Sequence, residues 1–171
     1  MSDQHITFHT GDIFASDAQA LVNPVNCVGV MGSGLALAFK QKYRDNFSAY
    51  VEACGRGEVV LGRMFITRCP SLFSDQYIIN FPTKDHWRMP SRLCDIEAGL
   101  QDLRRAMMCL SLRSIAIPAL GCGRGGLAWD DVRPLLIQHL HPVNDCAVLI
   151  YEPADHGARV ATGTTNTPSS R

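Results

Sequence analysis

Asn23-Pro24-Val25-Asn26-Cys27-Val28-Gly29-Val30-Met31-Gly32-Ser33-Gly34-Leu35-Ala36-Leu37-Ala38-Phe39 is the stretch whose reading decides the fold. Ahead of it, Ala18–Val22 reads as an apolar strand closing on Asn23-Pro24. Behind it, Leu35, Phe39 and Tyr43, four apart, stripe a helix over 34–44. A strand, a glycine loop and a helix in succession aim free backbone N–H groups and the positive end of a helix dipole at one point, which suits a phosphate. Leu35-Ala36 after Gly34 excludes a P-loop, and the G-x-x-G-x-G spacing is not the dinucleotide fingerprint. Taken alone, such a loop also reads as an ordinary turn between a strand and a helix.

The surrounding pattern alternates strands with helices. Residues 5–9, with Ile6 and Phe8 on one face, form a first strand ending at Thr10-Gly11-Asp12-Ile13. A short helix over Phe47–Ala53 is stopped by Gly55-Arg56-Gly57, and Met64–Arg68 reads as a strand. Gln76–Phe81 is nearly all apolar, as a strand covered on both faces should be. Leu93, Ile96, Leu100, Leu103, Met107 and Leu110 repeat at three and four and predict a long helix. Ser114–Leu120 reads as a buried strand in which Pro118 marks the C-terminal end or an edge. Asp130 is the expected N-cap of a helix carrying Val132, Leu135, Leu136 and Leu140, with Pro134 in its first turn. Cys146–Tyr151 is a last strand, and from 153 to 171 the chain reads as a disordered polar tail or a truncated linker. The class is α/β with three layers. Ligands of such sheets sit beyond the carboxyl ends of the strands. With parallel strands, Asn23 and Asn26, Asn80-Phe81-Pro82-Thr83-Lys84, and Gly121–Gly126 converge on one cleft.

Bulk properties fit a single domain. The 171 residues are 46% hydrophobic and 19% charged. Sixteen basic residues cancel sixteen acidic ones, so any contact with nucleic acid has to be local. Seven cysteines without a C-x-x-C pair point to free thiols in a reducing cytosol rather than to a zinc ribbon or a disulfide framework. No signal peptide pattern and no membrane-length apolar run is present, so a cytoplasmic protein with no membrane partner is expected. The histidines show no ligand spacing, and no metal is assigned.

Several groups are candidates for chemistry. Gly121-x-Gly123-x-x-Gly126 followed by Glu152 matches a dinucleotide motif, although a Rossmann fold should continue with further strand–helix units. Lys84, just after a buried strand, is either a solvated loop lysine or a partly desolvated nucleophile or base. His86-Trp87-Arg88 can stack on a nucleobase, or Trp87 can pack against the long helix. Asp12 reads as an acceptor for an exocyclic amine or as an Asx-turn residue.

Gly11-Asp12-Ile13, Val22-Asn23-Pro24-Val25-Asn26, the 29–34 loop and Ile117-Pro118-Ala119-Leu120-Gly121-Cys122-Gly123 together resemble a macrodomain, the ADP-ribose-binding α/β module, over residues 5–152. Val28–Ala36, Asn80–Lys84 with Trp87-Arg88, and Gly121–Trp129 are similar to the DarG subgroup, antitoxins that remove ADP-ribose from thymidine bases in DNA and reverse the DarT toxin. The resemblance implies a three-layer α/β/α macrodomain at 1–152 with a mixed, largely parallel central sheet. It implies that Asp12 binds the adenine amine and Asn26 the distal ribose. Gly29, Val30, Met31, Gly32, Ser33 and Gly34 would wrap the pyrophosphate together with Gly121, Cys122, Gly123, Arg124, Gly125 and Gly126. Ile13, Asn23, Thr83, Pro118 and Leu120 would also line the ligand, and Lys84 would lie at the anomeric carbon as the catalytic partner of Asn26. His86, Trp87 and Arg88 would meet DNA. Protein-directed relatives carry an aspartate where this chain has Gly125, and another macrodomain class carries one where this chain has Leu35-Ala36-Leu37. The expected partners are ADP-ribose, ADP-ribosylated single-stranded DNA and a DarT-type toxin, with no cofactor and a monomeric state. Deacylation of protein ADP-ribose esters or O-acetyl-ADP-ribose, or non-catalytic ADP-ribose binding, are the alternatives.

Overall fold

The computed structural model describes residues 5–70 and 75–154. The polar tail expected from 153 onward lies, apart from its first two residues, outside the described residues. In chain order the elements are β1 (Ile6–His9), a short 3-10 turn (Ile13–Ala15), β2 (Ala20–Val25), α1 (Gly34–Lys42), α2 (Arg44–Gly55), β3 (Phe65–Cys69), β4 (Gln76–Pro82), α3 (Leu93–Cys109), β5 (Ser114–Pro118), α4 (Trp129–Leu140) and β6 (Ala147–Tyr151). The six strands form one sheet in the order β1-β6-β5-β2-β4-β3. Every neighbouring pair is parallel except β3–β4, so the sheet is mixed and largely parallel, as expected.

Strand alternation builds the layers. Val22, Ile79, Phe81, Ile115, Ile117, Val148 and Ile150 join Ile96, Leu100 and Leu103 of α3 and Val132 and Leu136 of α4 in one core. The intervening Leu21, Ile78 and Ala116 face the other side, against Phe39 of α1. Val25 on that side packs with Tyr50 and Ala53 of α2. Period two in the strands and period 3.6 in the helices thus sort the side chains into three layers. Gly99 lies in the middle of α3, where glycine weakens a helix. Its reason is contact: a Cβ there would stand 2.3 Å from the ring of Phe81.

Two local expectations are corrected. β2 does not close on Asn23-Pro24 but continues to Val25, paired to β4 along its whole length. Its ladder with β5 stops at Leu21, and Pro24 falls in the stretch where β4 alone is its ladder partner, so a missing N–H is tolerated. Asp130 is not the N-cap of α4: the helix starts at Trp129 with Ala128 as cap, and Pro134 therefore lies in the second turn. The buried indole of Trp129, whose Nε1 donates to Glu152 at 3.3 Å, draws the helix start two residues earlier. Asp130 and Asp131 instead sit in the first turn, where carboxylates favour the positive end of the helix dipole.

The early parting of β2 from β5 positions the site. Chain leaving β2 enters α1 and α2 on one face, and chain leaving β5 enters α4 on the other. Adjacent strands whose connections depart to opposite faces leave a crevice at their carboxyl ends, the usual ligand position in such sheets.

Candidate active site

The first glycine loop is shaped by Asn26. Its Oδ1 accepts from the N–H groups of Val28 at 3.1 Å and Val30 at 3.3 Å, while its Nδ2 donates to the Val30 carbonyl at 2.6 Å. The hydroxyl of Tyr50, fully buried in α2, lies 2.7 Å from the Asn26 carbonyl and 3.0 Å from Oδ1 and shares its proton between them. Burial pushes that phenol well above its ordinary pKa, so Tyr50 stays a donor. Gly29, at φ +82°, takes a backbone conformation that a side chain would strain, although a Cβ there would stand 3.6 Å from the Cβ of Cys54, at ordinary contact distance. Gly32 is exposed, and Ser33 caps α1 by position, without a side-chain bond.

Asn23 and Met31 lie beneath this loop rather than at its surface. Both are buried, and the Asn23 amide donates to Met31 Sδ at 3.8 Å and to Asn80 Oδ1 at 3.0 Å. Asn80 in turn exchanges hydrogen bonds with Asn46 of α2 at 2.8 and 3.2 Å, and Thr67 donates to Asn46 at 2.7 Å. The side chains of Asn23 and Asn80 thus belong to a buried polar ladder that ties β2 and β4 to α2.

Lys84 spans the mouth of the crevice. Thr83, buried, extends β4 by donating its N–H to Val25 at 2.9 Å. The next residues run beside the first loop, with the Cys27 N–H on the Asp85 carbonyl at 3.0 Å. From there the Lys84 ammonium donates to the Trp87 carbonyl at 3.4 Å and to the Arg124 carbonyl at 3.2 Å. It therefore bridges the segment after β4 to the loop after β5. Burial first, and the Arg124 charge second, lower its pKa. Cys27, beside it, is pushed up to about 12 chiefly by burial, so its thiol is inert.

The second glycine loop leaves β5 at the buried Pro118 and passes through the buried Leu120. Backbone bonds Cys122 to Ala119, Gly126 to Gly123 and Leu127 to Gly121, of 3.2, 3.1 and 3.0 Å, fold it on itself. Gly125 is enforced: a Cβ there would stand 2.3 Å from Ser91 Oγ and 2.4 Å from the Gly121 carbonyl. An acid at this position would require the loop to move. Gly123 and Arg124 are exposed, and the half-buried Cys122 thiol is raised to about 11 by desolvation.

Of the open alternatives at the rim, Trp87 does not pack into the core. It is 45% exposed, stacked on His86 with ring centroids 5.5 Å apart, and the Arg88 guanidinium stands 4.5 Å from its centroid. Met89, exposed beside it, carried no sequence signal. Asp12 makes the Asx-type turn, accepting the Phe14 N–H at 2.9 Å from an exposed position, and Ile13 is buried below it. Glu152 is held by Trp129 and lies 3.9 Å from the Arg133 guanidinium, and the strand order is not that of a Rossmann fold, so the dinucleotide alternative falls. Sequence reasoning missed Tyr50 and Ser91. A tyrosine on the apolar face of a helix, whose hydroxyl needs a buried partner, was the one available signal for the first. Among the described residues no helix is long and apolar enough to cross a membrane, and no cluster of three or more His, Cys, Asp or Glu could hold a metal.

Comparison with known proteins gives this site a context. The model of the Macro domain family matches residues 22–136. A DNA ADP-ribosyl glycohydrolase of Mycobacterium tuberculosis is 49% identical over 92% of the chain, and the match covers 45% of that relative, so the chain spans less than half the length of such curated relatives. The solved macrodomain of Mycobacterium tuberculosis DarG superposes with a TM-score of 0.85 at 50% identity, covering 87% of this chain and 98% of that one. Thermosipho africanus DarTG in complex with ADP-ribose superposes at 0.83 with 35% identity, covering 89% of this chain and 42% of that one.

Proposed function

Because the chain belongs to the macrodomain family and is closely related to the DarG macrodomains, we propose that it is a DNA ADP-ribosyl glycohydrolase. It cleaves the N-glycosidic bond between ADP-ribose and a thymine of single-stranded DNA, as an antitoxin opposing a DarT-type toxin. The observation that carries this reading is Lys84, a lysine with a lowered pKa bridging two loops at the mouth of the crevice. The ADP-ribose seen in the Thermosipho africanus relative supports that ligand for the crevice.

In this reading the pyrophosphate lies between the 29–34 and 121–126 loops, met by backbone N–H groups. Asp12 receives the adenine amine. An amide nitrogen carries two hydrogens, and Asn26 commits one to Val30, leaving the other for a ribose hydroxyl. The anomeric carbon then faces Lys84. Partial desolvation enlarges the share of neutral amine near neutrality, which favours attack on that carbon over polarisation of the leaving base. A C–N bond forms as the glycosidic bond breaks, thymine leaves with the electron pair and takes up a proton, and water later releases the sugar. Trp87, backed by Arg88 and His86, offers a stacking face for a base of the strand and keeps the substrate single-stranded.

The test is a comparison of substrates. ADP-ribose release from a thymidine-modified oligonucleotide should greatly exceed release from a glutamyl-modified protein or from O-acetyl-ADP-ribose. The reverse order would make the chain an ester hydrolase, and ADP-ribose binding without any turnover would make it a non-catalytic module.

A further inference from the structure

Ser91 stands just ahead of α3 and has no part in the roles given above. It is 5% exposed, and its Oγ meets no protein hydrogen-bond partner. Its N–H donates to the Gly125 carbonyl at 2.9 Å. Its side chain fills the space that a side chain on Gly125 would need: the absent Cβ would stand 2.3 Å from Ser91 Oγ and 2.9 Å from Ser91 Cβ. A Cβ on Gly121 would stand 3.2 Å from the same Ser91 Cβ. Ser91 therefore lies flat against two glycines of the second loop at once. The carbonyl one residue before Gly125, that of Arg124, accepts from Lys84 Nζ at 3.2 Å. Two consecutive carbonyls are thus held by the two ends of one segment, Lys84 and Ser91. Glycine backbone has little stiffness of its own, so the shape of such a loop comes from what packs on it.

We infer that Ser91 is a positioning residue for Lys84: by buttressing Gly125 it fixes the Arg124 carbonyl and side chain against the lysine ammonium. Ser91 touches no reacting atom and acts through the loop. The inference rests on the proposed role of Lys84 as the reacting amine. Burial and Arg124 both hold the Lys84 pKa down. The other charged or titratable groups around it are Asp85, His86 and Arg88 on its own segment and Cys27 from the first loop. A loosened second loop admits water and withdraws Arg124, and both changes relax the lysine upward.

The experiment pairs Ser91→Gly, which removes the buttress, with Ser91→Ala, which keeps the Cβ and the N–H. On an ADP-ribosylated single-stranded oligonucleotide, Ser91→Gly should lower kcat by about tenfold or more with KM within about threefold, whereas Ser91→Ala should stay within about twofold of wild type. A second readout needs no turnover. The chain has three lysines, Lys40, Lys42 and Lys84, so 13C-labelled lysine gives a small set of resonances. The Lys84 titration should move upward in Ser91→Gly and stay in place in Ser91→Ala. An unmoved Lys84 titration in Ser91→Gly, or equal damage from the two variants, overturns the inference. Absence of wild-type turnover on the oligonucleotide would fail the proposed function alone, since the lysine titration still reports on Ser91.

Discussion

Asn26 and Tyr50 divide the work of shaping the first glycine loop. The Tyr50 hydroxyl reaches both the carbonyl and the side-chain oxygen of Asn26. Removing it leaves the Asn26 carbonyl without that donor, while Oδ1 keeps the Val28 and Val30 N–H groups, and a buried acceptor left unpaired costs about 1–3 kcal/mol. Tyr50→Phe should therefore lower unfolding stability by that amount in urea titration and weaken ADP-ribose binding in calorimetry, because the loop loses its reference point. Unchanged values for both would contradict the assigned role. Lys84 makes a second prediction at this scale. Its pKa is lowered in the folded protein, so the neutral amine accumulates at lower pH than for a free lysine. If the neutral form attacks, kcat rises with pH and levels off below the ordinary lysine range. A limb at the ordinary lysine value, or a rate that falls as the lysine deprotonates, would contradict attack by the neutral amine. Lys84, the glycines and Trp87 were legible from sequence because their chemistry is unusual for their place in the chain. Tyr50 and Ser91 were not, since each acts on a loop distant in sequence and neither is rare on its own element.

Among the elements, α3 shows what periodicity reveals and what it hides. Its apolar repeat predicted the helix and its buried face, and the observed buried residues Ile96, Leu100, Leu103 and Met107 follow that repeat. Gly99 falls inside that repeat, where glycine weakens a helix, and the Phe81 ring lies against it. Gly99→Ala adds a methyl group where no space exists, and overpacking of this kind costs about 1–3 kcal/mol, more than the gain in helix propensity. The melting temperature should fall, and a double-mutant cycle with Phe81→Leu should show a favourable coupling. A stabilised Gly99→Ala would contradict the packing account. The start of α4 was misplaced for a related reason: Asp130 is a good N-cap by residue type, but burial of Trp129 decides where the helix begins. Capping preferences amount to about 1 kcal/mol, less than burying an indole is worth.

For the whole molecule, the parting of β2 and β5 brings together loops that are far apart in sequence, and the parallel sheet makes their convergence readable in advance. The stacked His86, Trp87 and Arg88 at the rim give the crevice a side suited to a nucleic acid strand in a chain with no net charge. Stacking of a base on an aromatic ring is worth about 1–3 kcal/mol. Trp87→Ala should accordingly raise KM for the modified oligonucleotide by about fivefold to a hundredfold while ADP-ribose affinity stays within about twofold. Equal losses for both ligands would place Trp87 in the ADP-ribose site instead. The central claim, that Lys84 breaks the bond between ADP-ribose and DNA, is tested most directly by hydrolysis of thymidine-ADP-ribosylated single-stranded DNA with wild type and Lys84→Ala in parallel. On that claim, turnover should fall by about 10²–10⁴-fold in the variant while it still binds ADP-ribose. Unchanged turnover in Lys84→Ala would contradict it.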